Sequence, residues 1–196
     1  MTRQRVIVAL AVAVMLGVAA IAVGTAPDSV RITEPFYSHG TLGESVNTRL
    51  LKVEVNEVTL ASEINVDYGG TIEEPETTYR SEGVWVTIDV TATTTTDSLI
   101  LAGSTLTVGE LSFGVFALPT PTIESFVVGS DVPVDGTLVF EIPTAVYESA
   151  TDASVTLTGN FSTPLEQIAV VDVPLHQLPI EDSVTIERAV VSGVTR

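Results

Sequence analysis

The chain has 196 residues, with 25 acidic side chains against eight basic ones, a formal charge of −17 and no cysteine. Nucleic-acid binding is excluded, because it selects clustered Lys and Arg, and the overall charge also opposes adsorption to anionic lipid. The missing thiols exclude disulfide staples, zinc–thiolate centres and a lipoprotein acyl anchor, so stability must come from burial alone.

The first predicted element is Val6 to Val23, an unbroken apolar run with Arg3 and Arg5 before it and no further cation until Arg31. Cations flanking such a run stay on the cytoplasmic side. Eighteen residues at about 1.5 Å each span roughly 27 Å, close to the roughly 30 Å hydrocarbon core. Residues 1–25 are therefore predicted as a retained single-pass membrane anchor through residues 6–23, with the C-terminal body outside. The alternative is secretion after signal cleavage, since Ala20-Ile21-Ala22 and Gly24-Thr25-Ala26 offer small residues at peptidase spacing. All 25 acids follow this run and two of the eight cations precede it, so the exported part carries 6 − 25 = −19.

Residues 26–47 are rich in Pro, Gly, Ser and Thr without a period, and are predicted as a stalk or linker. Periodicity begins at Leu51 to Leu60, where apolar residues alternate with one shift near Asn56; the pattern predicts a half-buried strand with a bulge there. Val66 to Glu82 reads as an exposed acidic loop. Val84 to Thr91 alternates again, with Val84, Val86, Ile88 and Val90 on one face and Trp85 on the other.

Further strands are predicted over Ser98–Leu101, Leu106–Val108, Leu111–Ala117, Ser125–Val128, Thr137–Ile142, Ala153–Thr158 and Gln167–Val173, with Gly and Pro between them. Thr144 to Ala150 has room for a single helical turn. Short strands at this spacing predict an all-β, antiparallel sandwich over residues 48–174, preceded by the N-terminal helix. Residues 175–196 are predicted as a C-terminal strand or flexible tail, loosely attached because Ala189, Val190 and Val191 break the alternation; Val184 to Ile186 could add to a partner's sheet edge.

Two segments carry a family likeness. Gly83 to Thr91, with a turn at Thr93 to Asp97, and Val134 to Pro143, where Gly136 leads into a strand ending at a proline, resemble a family of immunoglobulin-like cell-envelope domains of undetermined function from Gram-positive, actinobacterial bacteria. The resemblance covers Leu50 to Pro174 and implies architecture and an envelope location; it brings no catalytic residue, because fold does not confer function. The chain departs from the family pattern in having no lipobox cysteine.

Chemistry-bearing patterns are sparse. Ser45 lies in a Gly-Glu-Ser-Val-Asn stretch without the closing glycine of a nucleophile elbow, and the two histidines, His39 and His176, sit in Gly or Pro surroundings, so no catalytic set is predicted. Calcium favours closely spaced carboxylates on Gly-bearing loops, which makes Asp67, Glu73, Glu74, Glu76, Asp131 and Asp135 the candidate metal ligands. Neither stretch has the alternating Asp spacing of a dedicated loop, and no cofactor is implied. Asn160-Phe161-Ser162 matches a glycosylation acceptor, which has meaning only in a eukaryotic secretory context.

The expected function is that of a membrane-anchored extracytoplasmic binding or structural module of the cell envelope, without catalysis, whose partner is an envelope or membrane protein. One alternative is an accessory subunit of a membrane transport or export assembly, packing through Ala9, Ala13 and Gly17. Another is a secreted hydrolase, which would require a cleft with convergent polar groups.

Overall fold

The computed structural model describes residues 3–24, 35–67, 77–95, 98–118, 122–159 and 167–192. It separates into two compact units, residues 1–34 and 35–196. The first holds helix α1, Arg3–Gly24. Its described side chains run from Val12 to Ile21 and are exposed, including Met15, Leu16 and Ile21. Among the described residues no helix is long and apolar enough to cross a membrane.

The second unit is a β-sandwich. Its first sheet contains β1 (Phe36–Thr41), β6 (Thr105–Val108), β7 (Leu111–Gly114), β10 (Ala153–Leu157) and β11 (Gln167–Asp172), in the order β1-β11-β10-β6-β7. Its second contains β3 (Leu51–Val66), β4 (Thr77–Thr94), β9 (Val134–Ile142), β12 (Ile180–Ile186) and β13 (Val190–Val191), in the order β12-β3-β4-β9-β13, with β2 (Ser45–Asn47) paired to β3. β5 (Ser98–Ile100) and β8 (Val127–Gly129) form a small separate ribbon, and α2 (Thr144–Ser149) follows Pro143.

Alternation accounts for the layering. Val84, Val86, Ile88 and Val90 point inward from β4, and Leu138, Phe140 and Ile142 from β9; they meet Leu106, Val108, Val155, Leu157, Ala169 and Val171 of the opposite sheet in one continuous core. Neighbouring residues on a strand face opposite ways, so each sheet contributes every second side chain. The shift expected near Asn56 is present as a register irregularity between Val55 and Glu57. It turns Asn56 and Glu57 both to solvent while Val55 and Val58 stay buried.

Trp85 faces away from the main core and is nevertheless 2% exposed. It anchors a second cluster with Ile64, Val139 and Ile186, roofed by Tyr79, Phe116, Leu118 and Val184. The segment after β7 crosses the outer face of the second sheet, and Phe116 donates its N–H to the Val139 carbonyl at 2.7 Å.

Four expectations change. The linker of residues 26–47 contains β1 and β2, and Phe36 and Tyr37 lie on β1. These segments pair through backbone groups, which a composition of Ser, Gly and Thr permits without advertising it in side-chain periodicity. The acidic loop is shorter than Val66 to Glu82, because Thr77 to Glu82 belongs to β4; residues 68–76 lie outside the described residues. The expected turn at Thr93 to Asp97 loses Thr93 and Thr94 to the same strand. Of the two readings of residues 175–196, the strand is the one present, with β12 along β3 and β13 along β9. Pairing is also not wholly antiparallel: β1 runs parallel to β11 and β12 parallel to β3. Both parallel pairs join strands far apart in sequence, as parallel pairing requires.

Candidate functional site

The bulge at Asn56 shapes a groove of about 390 Å3 on the outer face of the second sheet. Asn56 and Glu57 come from β3, Asp89 from β4, Asp135 and Thr137 from β9, and Thr185, Glu187 and Arg188 from the end of β12 and the segment after it. Alternation explains the placement, because Asp89 and Thr91 are the outward neighbours of buried Ile88 and Val90.

Hydrogen bonds fix these side chains across three strands. Asn56 Nδ2 donates to Thr91 Oγ1 at 2.9 Å, and the Thr91 hydroxyl donates to Asp135 Oδ1 at 2.7 Å. The Thr137 hydroxyl donates to Asp89 Oδ1 at 2.6 Å. Asp89 pairs with Thr137 in the ladder and Thr91 with Asp135, so each carboxylate meets a hydroxyl directly across the sheet. The groove presents carboxylate oxygens held by hydroxyls, and Arg188 is among its lining residues. Such a surface can recognise hydrogen-bond donors and cationic groups.

The predicted metal ligands are dispersed. Asp67 is exposed at the end of β3, its N–H bonded to the Ile186 carbonyl. Asp131 is exposed in a left-handed turn at φ 55° and donates its N–H to Thr94 O. Asp135 lines the groove. Glu73, Glu74 and Glu76 lie outside the described residues, and among the described residues no group of three or more His, Asp or Glu is arranged to hold a metal.

The hydrolytic residues do not assemble either. His39 is exposed on β1 with its ring 6.5 Å from that of Tyr37, and His176 is exposed on a 3-10 turn beside Gln177. Ser45 Oγ is buried without a hydrogen-bond partner among the described residues. A second depression, about 430 Å3, lies beside the turn after β1, with Thr41, Asp152 and Asp172 on its walls. Asn160 and Ser162 lie outside the described residues.

One carboxyl is perturbed. Glu124, half-buried in the 3-10 turn Ile123–Ser125, is pushed above its ordinary value by burial, against the lowering effect of hydrogen bonds from the Gly103 and Ser104 backbone. Burial disfavours the charged form, and the two backbone bonds recover only part of that loss.

Sequence reasoning singled out Asp135 but missed the groove. The bulge at Asn56 and the outward register of Asp89 were both readable; the adjacency of β4 and β9, whose closest ends are forty residues apart, was not.

The fold and groove together define a β-sandwich with an acidic, hydrogen-bonded groove on the outer face of one sheet. No family model matches the chain, and no curated protein matches it. A crystal structure of an uncharacterised β-sandwich protein from Clostridium difficile 630 is similar at 13% identity and a TM-score of 0.48, covering 72% of this chain and 97% of that one.

Proposed function

We propose that the chain is a membrane-anchored extracytoplasmic binding module of a bacterial cell envelope that acts by surface complementarity without catalysis. The apolar run Val6 to Val23 supports the anchor, since α1 gives it the conformation that satisfies backbone groups in lipid. An immunoglobulin-like reading of the sandwich is supported by strand order: β11, β10 and β6 lie side by side as strands G, F and C do, and β3, β4 and β9 as A, B and E do.

The observation that carries the binding role is the hydrogen-bonded groove. Asp89 and Asp135 are held by threonine hydroxyls on a rigid sheet, which lowers the ordering cost of recognition. The partner in this reading is an envelope or membrane protein that presents Lys or Arg to the groove. Cross-linking with mass spectrometry on the membrane fraction tests it. A D89N/D135N chain should lose the partner recovered with the natural chain while keeping its fold by circular dichroism; equal recovery of that partner with both chains removes the groove from the account.

A further inference from the structure

The β1 edge of the first sheet is complementary to itself. β1 ends the strand order, and the backbone groups it turns away from β11 follow from the ladder. The Val173 N–H donates to the Ala153 carbonyl, in register with the pairs Val155–Val171 and Leu157–Ala169, so Val171 and Ala169 face β10 while Val170 and Ile168 face β1. In a parallel pair, a residue bonds to the two that flank its partner. Phe36, Ser38 and Gly40, opposite Gln167, Ala169 and Val171, therefore bond to β11, and Tyr37, His39 and Thr41 face outward. Thr41 is satisfied within its own turn: its N–H donates to Glu44 Oε2 at 3.2 Å and its carbonyl accepts from the Glu44 N–H at 2.9 Å. What stays open is the N–H and carbonyl of Tyr37 and of His39, and among the described residues no strand pairs with them.

Sheet edges are ordinarily guarded by charge or by brevity. β12 carries exposed Glu181 and Asp182, and β7 and β13 are four and two residues long. β1 has six residues and no charged side chain.

We propose that β1 pairs antiparallel with β1 of a second copy, about a two-fold axis at Ser38. Tyr37 then exchanges both bonds with His39 of the second copy, and His39 with that copy's Tyr37, so every open group of the edge finds a partner. The ladder ends there, because Thr41, whose groups are taken, falls opposite Pro35, which has no N–H. Side chains agree with this register. Tyr37 and His39 stand on the exposed face with ring centroids 6.5 Å apart, and pairing sets each across from its opposite number in the second copy. Phe36, 61% exposed, falls opposite Gly40, an aromatic on an edge glycine.

Charge agrees as well. Exposed Glu44 and Asp172 lie at the Thr41 end. Antiparallel pairing separates the two Thr41 positions by about 20 Å, at about 3.4 Å per residue, well beyond the Debye length of about 8 Å. Parallel pairing would set these acids side by side in a chain already at −17. The two-fold pair closes on itself, joins two five-stranded sheets, and leaves the groove on each second sheet open. It rests neither on the groove nor on the anchor.

The chain has no cysteine, so a single introduced one reports only contacts between copies. In the full-length chain in detergent micelles, S38C should oxidise to a disulfide-linked dimer several-fold faster than T41C or L111C, because the two Ser38 Cα atoms stand about 4.5 Å apart in a non-hydrogen-bonded pair. Equal rates at the three positions would mean chance encounters or association through α1, and faster linking at L111C would mean pairing through β7; either result overturns the proposal. His39→Pro removes an outward N–H and no bond to β11, so adding it to S38C should slow the linking several-fold while far-ultraviolet circular dichroism stays the same. Undiminished linking of the S38C/H39P chain would also overturn the pairing.

Discussion

The rings of Trp85 and Phe116 meet edge to face, with centroids 4.9 Å apart and planes inclined by 72°. Phe116 in turn meets Tyr79 at 6.0 Å in the same T-shaped manner. These contacts tie the segment after β7 to the outer face of the second sheet, which an alternating strand alone would leave to water. Trp85→Ala should cost about 3 to 5 kcal/mol, the range for emptying a large aromatic site. Trp85→Phe should cost less than that, because the buried indole Nε1 has no hydrogen-bond partner among the described residues. Urea denaturation read by far-ultraviolet circular dichroism checks both.

Gly83 and Gly136 are packing requirements. A Cβ on Gly83 would stand 2.1 Å from the Ile142 carbonyl oxygen, and one on Gly136 would stand 2.9 Å from the Cβ atoms of Ala189 and Ile123. Overpacking of this kind typically costs about 1 to 3 kcal/mol, so Gly83→Ala and Gly136→Ala should each lower the melting temperature. Gly114→Ala meets nothing within 4 Å and should leave it nearly unchanged. Differential scanning calorimetry of the three variants distinguishes them.

Glu124 gives a pH dependence with a definite sign. Its folded-state pKa is raised above the ordinary 4.5, so the native state holds the proton more tightly than the unfolded chain. Relative stability from this group is fully present below pH 4.5 and is lost as pH rises through the folded value. Glu124→Gln, which stays neutral, should therefore be more stable than the natural chain at neutral pH relative to their difference in acid. Paired melting curves at pH 4 and pH 7 test the direction.

The C-terminal strands should behave as part of the fold. β12 covers the edge of β3, and Ile186 packs against Trp85 in the outer cluster. A chain ending after Pro179 would expose the long β3 edge, an invitation to intermolecular pairing. It should aggregate on purification, whereas limited proteolysis of the full chain should leave the 180–191 stretch uncut.

The sandwich was legible because its central strands alternate strictly: Val84 to Val90 announces a buried face, and the break at Asn56 announces a bulge. The edges were less legible for physical reasons. β1 and β12 are both mostly exposed, and an edge strand held by backbone pairing need not alternate in hydrophobicity. Parallel pairing of β1 with β11 also joins segments about 130 residues apart, a distance over which local pattern carries no information. The groove lies between these cases, since each residue's outward register follows from its own strand while their convergence depends on strand order.

The proposed anchoring requires the acidic sandwich to lie on the outer side of the cytoplasmic membrane. Protease added to intact protoplasts expressing the full-length chain should digest the body and leave a short fragment containing α1 in the membrane pellet. A body that remains whole under conditions where a known external protein is cut would contradict the account.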